Sequence, residues 1–142
     1  MVITLLDTGL RVSEFCNLKA SDVRWQEDFI SVKGAKRRRR VPLTERVKKL
    51  LEWQFAAEPN AAMNIPKTTA EEIVARVAAR AMLVKKCTPH VLRHTFCVNA
   101  LRRGVDLRSV QLAAGHSDIR VTEHYLGYLE TEPPNAFRRV DW

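Results

Sequence analysis

The chain is poor in cysteine: Cys16, Cys87 and Cys97 are three, an odd number, and no pair has CxxC spacing. That pattern argues against a disulfide framework and for a reducing compartment. There is no apolar run approaching the roughly 20 residues that cross a bilayer, and no lysine-rich amphipathic helix stands alone to lie on one. The apolar start, Met1 to Leu6, lacks a basic leader and a cleavage site, so it is not read as a secretory signal. No internal repeat is present, and the only biased stretch is the basic run Lys36 to Arg40.

What is there describes a folded, cationic protein. Its 142 residues suffice for a single domain, residues 1–142, and 46% hydrophobic with 28% charged residues is ordinary for a globular chain. A net charge of +8 and a pI near 9.9 favour a polyanionic partner, either nucleic acid or an acidic membrane face, and the missing membrane signals favour nucleic acid. Met1 to Leu6 reads as the end of a helix that begins upstream, so the chain is expected to be part of a longer protein.

The pattern predicts a mixed α+β domain, mainly helical, with a small antiparallel three-stranded sheet. A short helix over Val2 to Asp7 stops at Thr8-Gly9, and a second carries Val12, Phe15 and Cys16 towards the core and reaches Leu18. Val23 to Trp25, Phe29 to Val32 and Arg38 to Val41 read as strands, with Lys33-Gly34-Ala35-Lys36 as the hairpin turn. Val47, Leu50, Leu51 and Phe55 recur at helical spacing until Glu58-Pro59. Asn60 to Lys67 is expected to be a mobile loop. Thr69 and Glu72 have capping-box spacing at the start of a helix that buries Ile73, Val77 and Ala81. Thr88-Pro89 opens a helix to about Arg103, Asp106 caps one to Ala114, and a last helix holds Val121 to Leu129.

Two segments carry candidate chemistry. In His90-Val91-Leu92-Arg93-His94, His90 and Arg93 are three apart and share a helical face, a suitable clamp for phosphate. An ordinary basic face fits the same residues, and Cys87, His90 and His94 also have metal-like spacing. In Gly115-His116-Ser117-Asp118, His116 lies just past a helix end and Tyr125 follows nine residues later, either as a reactive hydroxyl or as a packed aromatic. Arg11 has Glu14 three residues on to hold it. Lys33 sits at a hairpin tip, where Lys36 competes for any role.

Taken together, these segments resemble the catalytic domain of the tyrosine recombinases, the phage-integrase family. Thr8 to Glu14 is similar to that family's first arginine box, and Val32-Lys33-Gly34 through Val41-Pro42-Leu43 to its lysine-bearing hairpin. Thr88 to Phe96 resembles its second box, and Gly115-His116 through Tyr125 its third box and nucleophile. The resemblance implies the family's catalytic-domain fold, without its separate core-binding domain. It also implies a site-specific recombinase that cleaves and rejoins double-stranded DNA through a 3′-phosphotyrosyl link.

The implied catalytic set is Arg11, Lys33, His90, Arg93, His116 and Tyr125. Arg11, Arg93 and His116 would hold the phosphate, Lys33 would protonate the leaving 5′-oxygen, and His90 would assist proton transfer. Lys36, Arg37, Arg38, Arg39 and Arg40 are candidate DNA contacts. No cofactor is implied, and the full-length protein is expected to form a tetramer on cytoplasmic, nucleoid DNA. A non-catalytic DNA-binding remnant and a type IB topoisomerase-like enzyme are the competing readings.

Overall fold

The computed structural model describes residues 1–34, 38–56, 58, 61–125 and 127. Helix α1 (Val2–Thr8) ends at Gly9, whose φ of 62° and amide bond to the Leu5 carbonyl stop the helix. Gly9 is needed twice over, because a Cβ there would also overlap the Phe96 ring. Helix α2 (Val12–Cys16) is shorter than expected: Leu18 is buried but lies beyond its end. The sheet has the order β1 (Val23–Arg24), β2 (Phe29–Lys33), β3 (Arg38–Pro42), antiparallel throughout. Val23, Ile30, Val32 and Val41 give it a buried face.

Helix α3 (Glu45–Phe55) opens at Thr44, whose Oγ1 accepts from the Val47 amide at 3.3 Å. Asp7 ties α1 to this helix through Arg46, at 3.0 Å to Nε and 2.6 Å to Nη2. The buried stripe is Val47, Leu51 and Phe55, while Leu50 is largely exposed. Residues 61–66 are docked rather than free. Ala61 O accepts from the Ala20 amide, and the amides of Met63 and Ile65 donate to Leu18 O and Cys16 O. The side chains of Ala61, Met63 and Ile65 pack on the core, so the mobile-loop expectation is corrected for these residues; Asn60 lies outside the described residues.

Helix α4 (Lys67–Arg80) begins two residues before the predicted Thr69 cap. Its buried face is Ala70, Val74 and Ala78, while Val77 is exposed and Ile73 is only half-buried. The expected face was one residue out of register. Helix α4 packs on α2, and alanines at the contact let two helices approach closely. Helix α5 (Pro89–Arg102) is capped by Thr88, and α6 (Leu107–Ala114) by Asp106, which accepts from the Ser109 amide at 2.9 Å. Helix α7 (Ile119–Glu123) starts at Asp118, earlier than predicted, and stops at Glu123; 128 and 129 lie outside the described residues. Two apolar clusters result. One joins the sheet with α1–α4, and the other gathers Cys97, Val98, Leu101, Val110, Ala114 and Tyr125.

Candidate active site

The start of α2, the first turns of α5 and the α6–α7 junction border one open cavity of about 870 Å³. Arg11, His90, Arg93, His116 and Tyr125 all line it. His94 and His124 line it too, so all four histidines of the chain meet there. Among the described residues, no three His, Cys, Asp or Glu side chains converge as a metal site requires. Cys87, absent from the lining, does not complete a group with His90 and His94.

Arg93 is the deepest cation, 6% exposed. Its Nη1 donates to Gly9 O at 2.6 Å and its Nη2 to Ala114 O at 2.5 Å, joining the ends of α1 and α6. Two of five N–H bonds are thereby committed and the remaining donors are left for a ligand. Burial, then the charge of Arg11, lowers its pKa. Arg11 is more exposed. Its Nη1 donates to Glu14 Oε1 at 3.1 Å and its Nη2 to Gly115 O at 3.0 Å.

Glu14 organises more than Arg11. Arg39 from β3 also grips it, Nη1 to Oε1 at 2.7 Å and Nη2 to Oε2 at 2.8 Å, and sends Nε to Ala113 O at 3.0 Å. Burial alone would raise the Glu14 pKa, but the Arg39 hydrogen bonds, the Arg11 amide and both positive charges outweigh it and hold it low. Arg39 is thus unlike the exposed residues expected of the basic run: its guanidinium is turned inward, with three of its five N–H groups engaged. Arg38 and Arg40 remain on the surface, Arg38 bonding Ser31 and Arg40 stacking over Phe29 at 4.7 Å. Lys36 and Arg37 lie outside the described residues.

His116 sits where Gly115 ends α6 with φ 70°. Its Nδ1 is 2.9 Å from Thr122 Oγ1. Burial, then the charges of Arg93, Arg11 and Arg39, lower its pKa to about 4, so the ring is neutral near pH 7. Tyr125 is 5% exposed and belongs to the second apolar cluster. His94 meets its ring edge-on, centroids 4.7 Å apart at 80°. Its side chain also hydrogen-bonds the Cys97 thiol, whose pKa burial pushes up. The packed-aromatic and cavity-lining descriptions of Tyr125 thus both hold. Lys33 is different: it is exposed at the end of β2 and outside the cavity lining.

The sequence offered a signal for Arg39 that went unused. Side chains alternate along a strand, and Arg39 is two residues from the core residue Val41. Nothing comparable marked His94 as a neighbour of Tyr125, because that contact depends on where the chain just past α7 meets α5.

Guanidiniums and imidazoles thus gather beside a tyrosine, on a mainly helical domain with a small three-stranded sheet. The sequence profile described as the phage integrase family matches residues 1–131, and the chain belongs to that family. A tyrosine recombinase from Pseudothermotoga lettingae is 33% identical over 155 residues, covering 99% of this chain and 52% of that protein. A crystal structure of XerA recombinase superposes with a TM-score of 0.79 at 31% identity, over 98% of this chain and 57% of that one. The catalytic domain of bacteriophage HP1 integrase gives 0.70 at 25% identity, over 97% and 79%. The chain spans about half the length of the curated relatives it matches.

Proposed function

We propose that this chain is the catalytic domain of a site-specific recombinase that cuts and rejoins duplex DNA through a 3′-phosphotyrosyl intermediate. The observation that carries the reading is the meeting of Arg11, His90, Arg93, His116 and Tyr125, from three distant segments, in one cavity. The Tyr125 oxygen attacks the phosphorus, forming one P–O bond while the bond to the 5′-oxygen breaks. Arg11, Arg93 and His116 hydrogen-bond the non-bridging oxygens, whose charge grows towards the transition state. Lys33 gives its proton to the departing 5′-oxygen, and the hairpin that carries it closes on DNA to bring it there. His90 assists proton transfer. A free phenol has a pKa of about 10, and the two guanidiniums favour its ionised form.

The product bond conserves the energy of the bond broken, so reversal onto another strand's 5′-hydroxyl needs no nucleotide. Lys33, Arg38 and Arg40 offer exposed charge to the DNA backbone. Each copy supplies one Tyr125, and exchange between two duplexes cuts four strands. The working unit on nucleoid DNA is therefore a tetramer of the full-length protein. The direct test is a nicked suicide duplex carrying the recombination site, whose short fragment diffuses away after cleavage. A covalent adduct should form in EDTA, and peptide mapping should place it on Tyr125. An adduct on Tyr128, or one requiring a divalent ion, would contradict this assignment.

A further inference from the structure

We propose that Thr122 is a positioning residue: it fixes the His116 ring in the tautomer that carries its proton on Nε2, making His116 a neutral hydrogen-bond donor to a bound phosphate. This rests on the reading of the cavity as a phosphodiester site.

The backbone of His116 is held without help from Thr122. Its amide donates to Gln111 O at 3.1 Å, and its carbonyl accepts from Gln111 Nε2 at 3.2 Å. Gln111 is fixed in turn by Arg108, Nη1 to Oε1 at 2.6 Å. The ring is held at another point, where Nδ1 lies 2.9 Å from Thr122 Oγ1. Thr122 is 0% exposed.

The direction of that bond follows from counting protons. A helical threonine commonly returns its hydroxyl to a carbonyl one turn back, but the hydrogen bond Thr122 Oγ1 makes among the described residues is to His116. Were Nδ1 the donor, the hydroxyl proton would be buried with no acceptor, the costly arrangement for a polar group out of water. Nδ1 therefore accepts from Thr122, and the single ring proton resides on Nε2, the nitrogen left for the cavity that His116 lines.

The arrangement also has an electrostatic logic. Burial first, and then the charges of Arg93 and Arg11 that border the same cavity, disfavour a third cation there and hold the His116 pKa low. A neutral ring locked with its N–H on Nε2 adds a donor without adding that repulsion.

The test needs no recombination site. Nitrogen-15 spectra of the ring in the 142-residue chain, at neutral pH, report which nitrogen of His116 is protonated. Wild type and Thr122→Ser should show the Nε2–H form, whereas Thr122→Val, similar in shape but without a hydroxyl, should show a mixture or the Nδ1–H form. Titration with inorganic phosphate should move the His116 Nε2 resonance. Its affinity should fall roughly tenfold in Thr122→Val, as for one lost hydrogen bond to a charged group, and recover in Thr122→Ser.

An Nδ1–H ring in wild type would overturn the inference, even if Thr122→Val fails to fold. So would a Thr122→Val protein with wild-type tautomer and phosphate affinity. A wild-type Nε2–H ring that phosphate never perturbs would sink the phosphate-site reading, and the donor role with it, while leaving the tautomer assignment standing.

Discussion

Arg93 and Lys33 occupy opposite extremes of this molecule. Arg93 is 6% exposed and pinned between the ends of α1 and α6 by two carbonyls, whereas Lys33 stands exposed at the end of β2, outside the cavity. The same contrast divides the rest of the site. Arg11, Glu14 and Arg39 form a wall of mutual hydrogen bonds with His116 held beside them by Thr122, while Tyr125 is packed against Cys97 and His94. The half proposed to hold phosphate is built into the fold. The two groups assigned to make and break bonds are not yet aimed at one point. Preorganised charge is the part of phosphoryl transfer a rigid scaffold can prepare in advance.

The contrast breaks most visibly at Arg93. Arg93→Met leaves Gly9 O and Ala114 O without their donor and should cost on the order of 3–5 kcal/mol, as removing one partner from a buried polar network does. Urea denaturation of the variant checks this. Glu14→Gln removes the charge that Arg39 and Arg11 share and should cost on the order of 3 kcal/mol. Glu14's pKa is held low in the fold, so its contribution is present above the ordinary carboxylate pKa and is lost as pH falls through the folded value. Gly115→Ala comes next, at roughly 1–2 kcal/mol for a left-handed alanine, and more if Arg39 cannot yield. At φ 70° the new Cβ would stand 2.8 Å from Arg39 Cδ. Lys33→Ala sharpens the contrast from the other side: stability should stay within about 0.5 kcal/mol of wild type, while cleavage of a suicide duplex by the full-length protein collapses.

His116 gives a pH signature of its own. Its folded pKa of about 4 lies below the ordinary histidine value of 6.5. Between those values the unfolded chain binds a proton that the fold refuses, so stability falls as pH drops through that window and levels off below it. Denaturation midpoints of wild type minus His116→Gln, measured across pH, isolate this from the carboxylates. A flat difference would contradict the neutral ring.

Much of this was legible in the residues because the signals were local. Thr88-Pro89, Asp106 and Gly115 mark helix ends by backbone chemistry, and each end lies where those residues place it. The family boxes pointed to Arg11, His90, Arg93, His116 and Tyr125 of the cavity's lining as short, ordered motifs, but not to Lys67 and Glu71 of α4. What stayed hidden depends on tertiary contact. Helix α4 has small or apolar residues on two neighbouring faces, and only docking on α2 chooses Ala70, Val74 and Ala78. Residues 61–66 carry no helical or strand period, yet the amides of Met63 and Ile65 find carbonyls at 18 and 16. Arg38, Arg39 and Arg40 are identical in chemistry, and although alternation puts Arg39 on the side of Val41, its partners Glu14 and Ala113 come only from tertiary contact.

On the proposed mechanism, phosphate holding and bond making reside in separable parts of the site. Tyr125→Phe removes one oxygen and keeps the ring in its cluster. In the full-length protein, duplex affinity across a salt series should match wild type within about twofold, well under the factor of ten that 1.4 kcal/mol makes, while the covalent adduct disappears. An adduct that persists, or DNA binding that falls with it, would contradict the separation.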